Sequence, residues 1–161
     1  YLFDDIKFEY HQIYNENNHK YTKIYPGIND LLSHLKQKNI SLYVLSNKPH
    51  IQTVDVINRF FDKNIFDYVY GKQNRMKPKP DPTLARKLLK KLKIKQSEVL
   101  YVGDTLTDMR LALNAGFVSV GVLWGFRDEA ELVNAKASYI VKEPKEILKL
   151  IEGKNNDINK K

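Results

Sequence analysis

The sequence contains no cysteine. That absence excludes disulfide staples, thiolate metal sites and a thiol nucleophile, and it accords with a reducing compartment. No apolar stretch approaches the roughly 20 residues needed to cross a bilayer, and no charged-then-apolar signal segment opens the chain. A cytoplasmic protein with no membrane partner is therefore expected. Acidic residues are in the minority, 19 Asp and Glu against 27 Lys and Arg, for a formal net charge of +8. What is present is otherwise ordinary: 161 residues, 42% hydrophobic and 29% charged, the composition of one main globular domain without internal repeats. The surplus positive charge sits on Lys87, Lys90, Lys91, Lys93 and Lys95, around an apolar stripe of Leu84, Leu88, Leu89 and Leu92, and in a polar tail. This pattern is the solvated side of an amphipathic helix with no aromatic interleaving, so no nucleic-acid partner is expected. Small anionic substrates remain compatible with it.

Hydrophobic periodicity predicts alternating helices and strands. A loosely helical pattern covers residues 1–22, and "YPG" at Tyr25–Gly27 breaks it before a helix from Ile28 to Lys38. Strands are expected at 40–46, 66–71, 99–102, 118–124 and 138–141, with helices at 50–61, 81–93, just after residue 104, 128–135 and 144–152. Such alternation implies right-handed crossovers and a parallel sheet covered by helices on both faces.

Three loops at carboxyl ends of strands carry polar equipment. In "YVGDTLTDMRLALNAG", residues 101–116, an apolar strand stops at Gly103 and a helical pattern follows. Asp104 stands at the strand end, where open α/β sheets place ligands, and Asp108 in the first helical turn. Two carboxylates there suit a divalent cation, although Thr105, Thr107 or Asp108 would equally serve as helix caps. In "LSNKP", Ser46 ends a buried strand before a helix opens, which makes either a phosphate seat or a cap. In "RMKPKPDP", prolines stiffen an extended segment and fix Lys77 and Lys79 on it as positioned charges. A hydroxyl, an ammonium and a carboxylate pair at one sheet edge describe a Mg²⁺-assisted phosphate site.

"LSNKP", "KPKPDP" and "YVGDTLTDMRLALNAG", in that order, resemble the second, third and fourth signature motifs of the haloacid dehalogenase superfamily of phosphohydrolases, and within it the phosphoglycolate phosphatase group. "YPG", "LWGFRDEAEL" and "ASYIVKEPKEIL" extend the likeness over about Tyr25 to Ile151. The resemblance implies a Rossmann-like three-layer α/β core with a parallel sheet and a helical cap. It implies that Ser46, helped by the amide of Asn47, binds the transferring phosphoryl group, that Lys77 neutralises that group and the nucleophile, and that Asp104 and Asp108 hold Mg²⁺.

The family's first motif, an Asp-x-Asp-Gly-Thr run that supplies the nucleophilic and acid/base aspartates, has no counterpart in this sequence. "LFDDIKFE" has adjacent aspartates, but Ile6 stands in the second aspartate's place and no Gly-Thr follows. The expected organisation is therefore the end of a helical cap over 1–22, a core over 23–153 lacking its first strand, and a disordered tail over 154–161. The resemblance implies that the missing strand lies mid-sheet, between those ending at Ser46 and Asp104. The expected function is a Mg²⁺-dependent phosphatase of small phosphomonoesters working through an aspartyl-phosphate, with the nucleophile outside these residues and the chain alone inactive. A pyrophosphatase or phosphomutase, or a catalytically inactive binder of a phosphorylated ligand, are the alternatives. A monomer or a homodimer is compatible with the sequence.

Overall fold

The computed structural model describes residues 20–74 and 76–158. In chain order these form α1 (Ile28–Gln37), β1 (Tyr43–Pro49), α2 (His50–Phe60), β2 (Tyr68–Lys72), α3 (Thr83–Leu92), a short 3₁₀ turn (Gln96–Glu98), β3 (Leu100–Gly103), α4 (Leu106–Ala115), β4 (Val118–Val122), α5 (Glu129–Asn134), β5 (Tyr139–Val141) and α6 (Lys145–Ile158). The alternation expected from periodicity is present, and every strand pair is parallel. The expected helix over 1–22 lies almost wholly outside the described residues.

The strands form two ladders, β1–β2 and β3–β4–β5. Among the described residues no ladder joins β1 to β3. Side chains close the gap instead: Leu45 of β1, Leu89 of α3, Val99 just before β3 and Tyr101 within it pack around Ala85, Ala112, Ala115 and Phe117. On one face of the larger sheet, Leu31 and Leu35 of α1 and Ile147 of α6 cover Val120, Val122 and Val141. On the other, Met109 of α4 packs with Leu132 and Ala135 from α5 and its exit. The result is the three-layer arrangement that a parallel sheet requires to bury both faces.

Boundaries shift where backbone groups find partners outside the ladder. The first strand begins at Tyr43 rather than residue 40 because Ile40 N–H closes α1 on the Leu35 carbonyl and Leu42 N–H donates to Asp67 Oδ2 at 2.6 Å. It then runs on to Pro49 through an irregularity between Leu45 and Pro49, so Ser46 lies inside that bulged stretch. Gly116, with φ 79°, ends α4 in the left-handed conformation that a side chain would resist. The last helix continues to Ile158, past residue 152 where its pattern ends and into the stretch expected to be a tail.

Candidate functional site

The site forms where the loops leaving β1, β2 and β3 approach one another. Ser46, Asn47, Lys77 and Lys79 line one depression, together with Leu45 and Gly71. The Ser46 hydroxyl accepts the Lys48 N–H at 3.1 Å, a local turn that holds the bulge after Leu45. Helix α2 begins immediately after it, and Pro49 supplies no side-chain cap, so no side chain occupies its first N–H groups.

The two lysines of "KPKP" diverge. The side chain of Lys77 is 80% exposed and makes only a loose approach to Asp81, at 3.9 Å. That of Lys79 is 16% exposed, and its ammonium donates to Asp108 Oδ1 at 2.7 Å and to the Leu45 carbonyl at 3.2 Å. An ammonium has three donors, so one N–H of Lys79 is left for a ligand at the depression. The resemblance singles out Lys77, whereas the geometry brings Lys79 to the acidic turn. Residues two apart on an irregular, proline-bearing segment need not share a direction, and nothing in a doubled Lys-Pro pattern says which lysine faces Asp108.

The acidic turn is built from the end of β3. Thr105 is the N-cap of α4: its Oγ1 accepts the Asp108 N–H at 3.3 Å and donates to Asp108 Oδ2 at 2.7 Å. Capping therefore belongs to Thr105, and the Asp108 carboxylate faces inward, buried, toward Lys79 and the Tyr101 hydroxyl at 3.4 Å. Gly103 permits this approach, since a Cβ there would collide with the Asp108 side chain. Glu131 of α5 accepts the Leu106 N–H at 2.8 Å and so holds the start of α4 from outside.

Tyr101 reads in the sequence only as part of an apolar strand. Burial first, and the neighbouring Asp108 carboxylate second, push its phenol far above the ordinary tyrosine range. The folded state thus keeps a proton that the unfolded chain releases above about pH 10. Stability from this group is complete below that pH and is lost as pH rises beyond it. Tyr101→Phe removes the loss. Urea midpoints at pH 9 and 11 should therefore fall less for the variant than for the wild type, and parallel falls would refute the assignment.

Asp104 has a different environment. Its Oδ2 accepts the Phe126 N–H at 2.9 Å, and this is its one hydrogen bond among the described residues. The carboxylate is wedged against Gly125, half-buried, with its second oxygen open. No three acidic or histidine side chains converge among the described residues. The donor set is thus one open carboxylate, with a second, Asp108, engaged by Lys79. That set fits Mg²⁺, which takes one or two carboxylates and completes its shell with water and phosphate oxygens.

The model of the haloacid dehalogenase-like hydrolases matches residues 3–122. The phosphoglycolate phosphatase of Vibrio cholerae is 30% identical over 129 residues, 80% of this chain and 57% of that protein. PpaX of Caldanaerobacter subterraneus, a candidate pyrophosphatase, is 31% identical over 154 residues, 95% of this chain and 70% of that protein. In three dimensions the chain is similar to a predicted phosphoglycolate phosphatase from Haemophilus somnus, with TM-score 0.80 and 28% identity over 86% of this chain and 61% of that one. The chain thus spans 57% to 63% of the length of the Vibrio phosphoglycolate phosphatases and of the Haemophilus protein it matches. The likeness begins at residue 3, well before the Tyr25 at which the motifs start, and with the parallel topology and the Ser46, Lys79 and Asp104 loops at one sheet edge it places the chain in the haloacid dehalogenase-like hydrolase family.

Proposed function

We propose that these residues form the phosphoryl-binding and metal-binding portion of a Mg²⁺-dependent phosphatase for small phosphomonoesters, of the phosphoglycolate phosphatase kind. The observation that carries the reading is the Lys79 ammonium, held at 2.7 Å from Asp108 and 3.2 Å from the Leu45 carbonyl beside Ser46 and Asn47. A phosphoryl group seated there would take the third Lys79 N–H, the Ser46 hydroxyl and the Asn47 backbone N–H. Lys79 then occupies the role that the resemblance gives to Lys77. Asp104 would hold Mg²⁺, with Asp108 beside it fixing the lysine. The ion supplies charge neutralisation at the phosphoryl oxygens.

An aspartyl-phosphate route also needs a carboxylate free to attack phosphorus. Asp108 is committed to Lys79, Thr105 and Tyr101, and Asp104 to the metal. On this reading the nucleophile comes from a strand outside these residues that enters between β1 and β3, whose facing edges have no ladder partner among the described residues. Its carboxyl end would then emerge between Ser46 and Asp104. A strand edge without a ladder partner leaves a row of backbone polar groups unpaired, which supports the same placement.

The test is hydrolysis of an aryl phosphate, phosphoglycolate and pyrophosphate at millimolar-scale Mg²⁺; the likeness to PpaX is the reason for the third substrate. The 161 residues alone should bind phosphate weakly and turn nothing over, and a chain extended upstream through the first motif should be active. Turnover by the short chain, abolished by Ser46→Ala, would show that the nucleophile and the mechanism are different.

A further inference from the structure

We infer that Asn47 is a positioning residue for Lys79, acting through its side-chain amide and not through contact with phosphate; the inference rests on the reading of Lys79 as the cation of the phosphoryl site. Asn47 Oδ1 accepts the Lys79 N–H at 2.7 Å, and Asn47 Nδ2 donates to the Lys79 carbonyl at 3.2 Å. One carboxamide thus takes both backbone polar groups of a residue 32 positions away. Lys79 lies on the stretch between β2 and α3, where no ladder or helix fixes the backbone, and such connecting segments normally leave their polar groups to water.

The rest of the loop is pinned in the same sense. Asn114 of α4 donates to the Pro80 carbonyl at 3.2 Å, and Asp81 accepts the Thr83 N–H at 2.9 Å. The backbone of Lys79–Pro80 is therefore referenced to the exit of β1, through Asn47, and to α4, through Asn114. Those are the same two elements whose Leu45 carbonyl and Asp108 carboxylate receive the ammonium. A lysine stem has four rotatable bonds and a large rotamer entropy. With both ends fixed on one pair of elements, the charge is held where a freely hinged lysine would wander. Asn47 is itself exposed, so burial does not oblige its amide to find partners. With its carbonyl oxygen and one N–H so engaged, the side chain is committed to the loop.

The experiment uses the full-length enzyme, with Asn47→Ala, Asn47→Asp, Lys79→Ala and the Asn47→Ala/Lys79→Ala double variant, read by steady-state kinetics on an aryl phosphate and by amide hydrogen exchange. Misplacement of a catalytic group by about 1 Å costs up to about 10²-fold, so Asn47→Ala should lower kcat by about 10- to 10²-fold with KM within about threefold. It should cost no more than about twofold when Lys79 is already alanine, because there is then no ammonium to place. Exchange at the Lys79 amide should quicken in Asn47→Ala, and Asn47→Asp, which keeps the acceptor for that N–H, should recover part of both effects. A full loss from Asn47→Ala in the Lys79→Ala background would mean that Asn47 acts on the substrate itself and would overturn the inference. So would unchanged kcat with unchanged exchange at Lys79. If Lys79→Ala alone leaves activity intact, the lysine reading fails, and the inference fails with it for a reason that the exchange data make separately visible.

Discussion

Lys79→Ala is expected to lower kcat/KM by about 10²- to 10³-fold, the usual cost of removing one preorganised group that meets developing charge, while Lys77→Ala leaves it within about threefold. The contrast follows from the two side chains. Lys77 is 80% exposed and 3.9 Å from Asp81, so its removal costs a screened surface contact of little worth. Lys79 is 16% exposed and its partner Asp108 8% exposed, at 2.7 Å. Its removal also strands a buried carboxylate, a change typically worth about 3–5 kcal/mol of stability. Loss of activity and loss of fold must therefore be separated. Pairing Lys79→Ala with Asp108→Asn removes the stranded charge and should restore a large part of the urea midpoint while activity stays low. If Lys77→Ala is the damaging change and Lys79→Ala is neutral, the loop carries its catalytic charge in the register that the motif resemblance implies, and Lys79 serves only to pair with Asp108.

That contrast marks where the sequence stopped being informative. Strand and helix alternation was readable because each element carries its own period: Leu31 and Leu35 on α1, or Val118 to Val122 between two covered faces, announce their burial locally. Gly103 and Gly116 likewise marked the ends of β3 and α4. The strand boundaries were less legible, since the start of β1 is decided by Asp67, 25 residues beyond the Leu42 it binds. The site was legible as a set of loops and not as a set of contacts. Asp104 and Asp108 are alike in a motif, yet one faces the Phe126 N–H with an oxygen open and the other is closed over by Lys79, Thr105 and Tyr101. Those differences come from residues on other elements, as does the clamp of Asn47 on Lys79. Tyr101 shows the same limit from the other side: a strand residue by every local criterion, it becomes part of the polar network only because α4 turns Asp108 back toward it.

The second large effect is expected at Asp104. Asp104→Asn should raise the Mg²⁺ concentration for half-maximal activity by about 10²-fold or more, because loss of a residue merely supporting a metal ligand already costs about 10- to 100-fold in affinity, and Mg²⁺ relies on only one or two carboxylates. The substitution is a clean one. The amide oxygen of asparagine can still accept the Phe126 N–H that Asp104 Oδ2 accepts at 2.9 Å, and the side-chain volume beside Gly125 is nearly unchanged, so the urea midpoint in the absence of metal should match that of the wild type. What is lost is the negative charge that meets the ion. Asp108→Asn should behave in the opposite way, lowering stability and kcat through the freed Lys79 ammonium while shifting the Mg²⁺ requirement less than Asp104→Asn does. Calorimetric titration with Mg²⁺ in the absence of substrate separates the two, since it reads the ion without turnover. Unaltered Mg²⁺ affinity and activity in Asp104→Asn would remove Asp104 as the ligand. A larger metal effect from Asp108→Asn than from Asp104→Asn would mean that Asp108 gives up Lys79 to hold the ion, and that the lysine is placed by its backbone clamp alone.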